Sequence, residues 1–178
     1  MSPPPNSKLE VLQEALNLKA MILDIFQNHE FVEGASNIQK FISVKEDVLF
    51  FSDKNRVTII LNNLISNAIR YADTNKEDMF IEIRIEISSE LVKIHFADNG
   101  VGIGEEYLDK IFNMFYRANP GSKGSGLGLF ILKEAVNKLD GEVNVRSKLH
   151  VGTVFDIQIP NLVEREAVAR YVEEKVGL

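Results

Sequence analysis

Asn63 and Asn67 stand four residues apart in Asn62-Asn63-Leu64-Ile65-Ser66-Asn67-Ala68-Ile69-Arg70-Tyr71. On a helix they share a face, and Arg70 and Tyr71 continue it one turn later. Asparagine suits a buried apolar stripe poorly, because its amide must find partners. Its oxygen is a good hard ligand for Mg2+ and, being neutral, does not repel a triphosphate. Arg70 can neutralise phosphate, and Tyr71 can lie against a base or sugar. The same amides also fit surface or capping positions, and the helix alone does not separate the two readings. Asp98-Asn99-Gly100-Val101-Gly102-Ile103-Gly104 follows an apolar stretch. A carboxylate at a strand end is a natural acceptor for an exocyclic amino group such as that of adenine. Asp-Asn before glycine is equally a turn former. A third cluster, Gly124-Ser125-Gly126-Leu127-Gly128, opens a helical pattern. Glycines let backbone N–H groups approach a ligand, and a helix start favours an anion such as phosphate. The cluster is neither a dinucleotide fingerprint nor a P-loop: no single strand leads into it and no Gly-Lys-Ser/Thr follows at the right spacing. Between the glycine clusters runs Ile111-Phe112-Asn113-Met114-Phe115-Tyr116-Arg117. Together they read as a nucleotide site with a movable cover between two glycine hinges.

Composition narrows the field. The chain has 178 residues, enough for one domain with some excess at the ends. Its 45% hydrophobic and 26% charged content is that of an ordinary globular protein. The net charge of −6 speaks against a nucleic-acid binder, which wants clustered Lys and Arg. There is no cysteine, so disulfide scaffolds, thiol catalysis and Cys-ligated zinc are excluded, and a reducing cytoplasm fits. No apolar run approaches the roughly 18 residues of a membrane span. The N-terminus lacks a basic-then-apolar signal pattern.

The elements that must position these groups follow from periodicity. Residues 1–8, with Pro3-Pro4-Pro5, read as an extended leader. Residues 9–27 have mostly helical spacing, interrupted near Asn17, and fit one bent helix or two short ones. Ile38–Val44 and Val48–Phe51 read as strands. Ser52 or Asp53 can cap a helix over 54–71 whose apolar positions run from Val57 to Ile69 at the helical period. Isoleucines alternating through 81–87, followed by 91–97, make a hairpin that ends at Asp98. Ser125–Lys138 reads as a helix, Val143–Arg146 and Thr153–Ile159 as a second hairpin, and Glu164–Val176 as a final amphipathic helix. The expected fold class is α+β: a two-layer α/β sandwich with a mixed, mostly antiparallel sheet covered on one face by helices.

Four stretches, in this order and at this spacing, resemble the ATP-binding catalytic domain of sensor histidine kinases, in the GHKL superfamily. They are an N box (Asn63 to Tyr71), a G1 box (Asp98-x-Gly100-x-Gly102), an F box (Phe112-x-x-Phe115) and a G2 box (Gly124-x-Gly126-x-Gly128). A trailing Gly152-Thr153-x-Phe155 also fits, so the resemblance covers about residues 36–160. It implies that Asp98 hydrogen-bonds the adenine amino group with support from Thr153, and that Ile103 and neighbouring apolar residues line the base pocket. Tyr71, Gly100 and Gly102 would belong to the same end. Asn67 would bind Mg2+ with Asn63 assisting. Arg70, Arg117 and Lys123 would meet the phosphates. Gly124, Ser125, Gly126, Leu127 and Gly128 would offer the helix-start N–H groups, and Phe112 and Phe115 would anchor the cover. The catalytic set implied is Asn63, Asn67, Arg70 and Arg117.

The resemblance also divides the chain and names partners. Residues 1–8 are a leader, 9–35 a helical connector, 36–161 the ATP-binding catalytic domain and 162–178 a C-terminal helix. Hydrolytic members (gyrase, mismatch-repair and chaperone ATPases) look like E-x-x-x-N at the N box, where the Glu activates water. Asn63 holds that place here, so transfer to a protein histidine fits better than hydrolysis. A complete histidine kinase carries its acceptor in an H-E-x-x-x-P-like motif. His29-Glu30 is followed by Phe31-Val32-Glu33-Gly34, without the proline, and reads as a helix-end histidine; His95 and His150 read as structural. The implied partners are therefore ATP, a dimerisation and phosphoacceptor domain of the same parent, and a response regulator downstream. Nucleic acid and membrane contact by this segment are not implied. The expected location is the cytoplasm, whether or not the parent is membrane-anchored. A nucleotide-gated interaction module and a slow ATPase are the alternative readings.

Overall fold

The computed structural model describes residues 13–116 and 125–162. In chain order these form β1 (Gln13–Leu16), α1 (Leu18–Asn28), β2 (Gln39–Glu46), β3 (Phe50–Asp53), α2 (Lys54–Arg70), β4 (Phe80–Ile87), β5 (Leu91–Asp98), α3 (Gly128–Lys138), β6 (Glu142–Lys148) and β7 (Gly152–Pro160). Two 3-10 segments, Ala35–Asn37 and Glu105–Lys110, sit in the connections.

Alternation builds the main sheet. Ile81, Ile83, Ile85 and Ile87 of β4 face inward, joined by Val92, Ile94 and Phe96 of β5 and by Phe155, Ile157 and Ile159 of β7. The strand order is β2-β4-β5-β7-β6. β2 pairs parallel with β4, and the other three pairings are antiparallel, so the sheet is mixed as expected. The inner face shares one core with α1, α2 and α3. Charged residues such as Arg84, Lys93 and Asp156 occupy the other face, where Asp156 accepts from Arg146 at 2.8 Å and lies 2.7 Å from His95 Nδ1.

Helix α2 follows its pattern closely: Val57, Ile60, Leu61, Leu64, Ile65, Ala68 and Ile69 are all buried. Asp53 is the cap, its Oδ1 accepting from Arg56 N at 2.9 Å. Ser52, the other candidate, is buried with a hydroxyl that has no hydrogen-bond partner among the described residues.

Strand ends shift by a residue or two, the strand expected at Val48–Phe51 running Phe50–Asp53, and two helix starts differ from expectation. The helix expected across 9–27 begins only at Leu18, because Asn17 is its N-cap, with Oδ1 accepting from Ala20 N at 2.9 Å. Gln13–Leu16 is instead a strand, paired antiparallel with β3 from Gln13↔Asp53 to Leu16↔Phe50. The stretch 9–35 is thus no purely helical connector, and Leu18, Ile22, Ile25 and Phe26 of α1 belong to the common core. The helix expected from Ser125 begins at Gly128, since Gly126 has φ 71 and cannot continue a right-handed helix. The leader, most of the 162–178 segment and Arg117–Gly124 lie outside the described residues.

Candidate functional site

A cavity of about 420 Å³ opens between α2, the carboxyl end of β5, the start of α3 and the turn joining β6 to β7. That volume lies within the usual range for small-molecule sites. Helix α2 serves as its ruler. A Cβ on Gly128 would stand 2.9 Å from Asn63 Oδ1, and one on Gly100 would stand 2.4 Å from the Tyr71 carbonyl. Asn63 and Tyr71 are eight residues apart, about 12 Å along a helix. One end of the cavity is therefore the glycine turn after β5, and the other is the start of α3.

At the first end stand Tyr71, Asp98, Gly102, Ile103 and Thr153. Asp98 closes β5 opposite Thr153 of β7, and its Oδ1 accepts from Gly100 N at 2.9 Å. Burial pushes its carboxyl up from 3.8 to about 6, against the opposing pull of the Gly100 and Thr153 N–H groups and the Lys76 ammonium. A half-desolvated carboxylate at a cavity wall is a strong acceptor for a ligand's N–H. Thr153 meets the Asp98 carboxyl through its backbone N–H. Its hydroxyl lies 2.8 Å from Ser147 Oγ, which donates to Gly152 O at 2.8 Å and accepts from Ile103 N at 2.8 Å. Ser147 has one proton and spends it on Gly152, so Thr153 is the donor between the hydroxyls. Gly102 adopts φ 68, and a Cβ there would meet Lys148 O at 2.1 Å. Only glycine lets the two turns come that close.

At the second end stand Asn67, Ser125, Gly126 and Gly128, and Arg70 lines the cavity from the last residue of α2. Asn63 Nδ2 donates to Ile59 O at 2.8 Å, which leaves its Oδ1 turned toward α3; Asn67 Oδ1 lies 3.8 Å from the same ideal Cβ on Gly128. Two neutral amide oxygens converge where α3 begins with its free N–H groups. That donor set fits a hard cation beside phosphate. Gly126 and Leu127 lie in the turn leading into α3 rather than inside it, with Leu127 N donating to Ser125 Oγ at 3.4 Å.

Asn63, Gly100, Phe112, Phe115 and Leu127 do not line the cavity, although Asn63 and Gly100 border it through the contacts above. Phe112 packs partly buried against the core, with Lys133 Nζ 5.1 Å from its ring centroid. Phe115, expected as its fellow anchor, is 67% exposed at φ 62. Arg117, Lys123 and Gly124 fall outside the described residues.

Sequence reasoning missed several walls. Leu64, Ala68 and Leu129 line the cavity, but their helical spacing marks them only as apolar face. His150, read as structural, also lines it from the β6–β7 turn, with its own N donating to Val101 O at 2.7 Å. Tyr107 and Tyr116 contribute from the segment between the glycine clusters, which carries no period that would have singled them out. His29 does end a helix, its Nδ1 2.9 Å from Ile25 O.

The family described as histidine kinase-, DNA gyrase B-, and HSP90-like ATPase matches residues 52–162. The chain is 36% identical over 118 residues to the sensor protein RprX of Bacteroides fragilis, covering 64% of this chain and 22% of that one. It is 32% identical over 139 residues to the sensor histidine kinase YvrG of Bacillus subtilis, covering 76% of this chain and 23% of that one. The chain thus spans under a quarter of the length of these curated relatives. Among solved structures, a nucleotide-free form of the catalytic domain of histidine kinase ThkA superposes with TM-score 0.69 at 28% identity, covering 84% of this chain and 97% of that one. This chain belongs to the histidine kinase-, DNA gyrase B- and HSP90-like ATPase family and is an ATP-binding domain of its histidine kinase branch.

Proposed function

We propose that this member of the histidine kinase-, gyrase B- and HSP90-like ATPase family holds Mg·ATP across the cavity and presents the γ-phosphate to a histidine on a separate dimerisation domain. The observation that carries the reading is the pair of unlike ends that α2 separates: a half-buried carboxylate beside one, converging amide oxygens and a helix start at the other. Asp98 accepts from the adenine amino group. Ile103 and Tyr71 flank the base. Arg70 neutralises phosphate charge, and the N–H groups at the start of α3 receive the phosphate oxygens. Asn67 and Asn63 would hold Mg2+, which when bound screens the phosphate charge. Catalysis by this chain is positioning and charge neutralisation.

The incoming imidazole nitrogen forms the new bond to phosphorus while the bond to the ADP oxygen breaks, so no base is needed from this chain. Among the described residues lining the cavity the sole carboxylate is Asp98, which belongs to the base end. That supports transfer over hydrolysis, which needs an activator for water. Residues 36–161, with α1 packed into their core, are the catalytic unit in this reading. We infer that the acceptor domain belongs to the same parent protein, that a response regulator takes the phosphoryl group onward, and that the segment works in the cytoplasm. No helix among the described residues is long and apolar enough to cross a membrane.

Mixing the chain with its parent's acceptor hairpin and γ-labelled ATP tests the reading. Label on the hairpin histidine is the expected result. Phosphate release without acceptor would favour a slow ATPase. Bound ATP with neither outcome would favour a nucleotide-gated interaction module.

A further inference from the structure

The turn between α2 and β4 carries Lys76, which does not line the cavity, yet its ammonium reaches three main-chain carbonyls. Nζ donates to Asn99 O at 2.7 Å, to Val151 O at 3.2 Å and to Gly100 O at 3.5 Å. An ammonium has three protons and no acceptor, so these three bonds satisfy it completely. The carbonyls belong to two separate segments. Asn99 and Gly100 form the turn after Asp98, and Val151 lies in the β6–β7 turn with His150. Lys76 is half-buried and its own turn is fixed, with Lys76 N donating to Asp73 O at 3.0 Å and Asn75 N to Asp73 Oδ1 at 3.2 Å. Asn99 is held from its other side as well, Oδ1 accepting from Phe80 N and Nδ2 donating to Asp78 O, both at 2.8 Å.

We propose that Lys76 is a positioning residue for the nucleotide: its ammonium pins the turn after Asp98 to the β6–β7 turn and so sets the wall against which the base lies. The inference rests on the nucleotide reading above. Val101, Gly102, Leu149 and His150, which form that wall, lie on the two segments that Lys76 joins. Other links between the two segments are His150 N to Val101 O, Ile103 N to Ser147 Oγ, and the Asp98 carboxyl, which accepts from Gly100 N and meets the Thr153 backbone. Lys76 adds a cationic clamp that bonds both turns. It is also the cation whose field acts on Asp98. The other ionisable side chains lining the cavity among the described residues are Arg70, Tyr71, Tyr107, Tyr116 and His150. The clamp therefore couples the shape of the wall to the charge of the group that reads the base.

Lys76→Met keeps the aliphatic stem and removes the three bonds; Lys76→Arg keeps the charge. In the nucleotide-free protein, carbon-detected NMR of the Asp98 carboxyl should show its titration midpoint moving up in Lys76→Met and staying near wild type in Lys76→Arg. Amide exchange at Val101 and His150 should quicken in Lys76→Met alone. With Mg·ATP, calorimetry should give an affinity on the order of fivefold to tenfold weaker for Lys76→Met, partly restored in Lys76→Arg. A folded Lys76→Met protein with unchanged Asp98 midpoint and unchanged exchange would overturn the proposal. Wild-type protein that binds no ATP would instead overturn the nucleotide reading, and the NMR and exchange measurements would still judge the clamp.

Discussion

Asn63 Oδ1 and Gly128 meet so closely that a Cβ on the glycine would lie 2.9 Å from the amide oxygen. α2 thus presents a side-chain oxygen to the first residue of α3, and α3 makes room by having no side chain there. Gly128→Ala sets two effects against each other. Alanine is the better helix residue by up to about 1 kcal/mol. Its methyl group must also displace the Asn63 amide. A side-chain tip can turn away at small cost, so the melting temperature should hold or rise slightly. Mg·ATP affinity should fall on the order of tenfold, because the amide then no longer faces the α3 start. Scanning calorimetry and ATP titration on one preparation check both halves. A destabilised variant that binds normally would mean that the amide has no part in holding the ligand.

Asp98 should show opposite effects on stability and binding. Its folded-state midpoint is raised to about 6 from 3.8, chiefly by burial. The folded chain therefore binds this proton more tightly than the unfolded chain does. Stability from this group falls as pH rises from about 4 to 6, and the cost is complete above that window. Asp98→Asn removes the ionisation and should stabilise the empty protein by about 1–3 kcal/mol at pH 8. The gain should shrink through pH 6 and vanish near pH 4. Binding moves the other way, since an amino donor prefers the carboxylate. Wild-type affinity for ATP should decline as pH drops through 6, with a proton released on binding at pH 5.5. The amide of the Asp98→Asn variant offers half the acceptor capacity, so that variant should lose on the order of tenfold to a hundredfold in affinity at pH 7.5. Calorimetry in buffers of different ionisation enthalpy reads the proton directly.

How far these features could be read in advance depended on whether they recur along the chain. The α2 helix was fully legible, because seven apolar positions at one period and an Asp cap all point to the same answer. The β4–β5 hairpin was legible for the same reason, and it fixed Asp98 at a strand end. β1 was not: four residues with only Leu16 buried carry no period, and their pairing with β3 is decided some forty residues away. Of the site, Asn67, Arg70, Asp98 and the glycines were visible as chemical types at telling spacings. Lys76, Ser147 and His150 were not, because each works through a contact with distant main chain, and a lysine in a polar turn looks the same whether it is solvated or holds three carbonyls.

Asp53 tests whether the α2 ruler can be loosened without touching the site. It is buried, caps α2 through Arg56 N, and makes a second, charge-assisted bond to the Arg56 guanidinium. Asp53→Ala should cost about 1–2 kcal/mol, the usual value of a lost cap. For a chain of this size that is a fall of a few degrees in melting temperature. Asn63 lies almost three turns further on, so ATP affinity well below the transition should stay within twofold. Asp53→Asn should recover most of the stability. Unequal losses in stability and binding, in that direction, are the expected signature.

Gly126 and Phe115 together test the turn that leads into α3. A Cβ on Gly126 would meet the Phe115 carbonyl carbon at 2.8 Å and Tyr116 O at 2.9 Å, and the residue's φ of 71 is itself unfavourable for alanine. Both obstacles are backbone, so neither can turn aside as a side chain can. Gly126→Ala should therefore push the 115–116 main chain away from the α3 turn. Tyr116 lines the cavity, so that shift reaches the ligand. Stability should fall by about 1–3 kcal/mol, and ATP affinity should fall with it, in contrast to Asp53→Ala. Phe115 is the complementary probe. It holds φ 62, a conformation costly for a bulky residue, while its ring is largely in solvent. Phe115→Gly should relieve about 1 kcal/mol of backbone strain and leave the empty protein as stable as wild type or more so. If the exposed ring serves the bound state, Phe115→Gly should weaken ATP binding or transfer to the acceptor histidine despite that gain. Equal binding and transfer by Phe115→Gly and wild type would assign the ring no role in either.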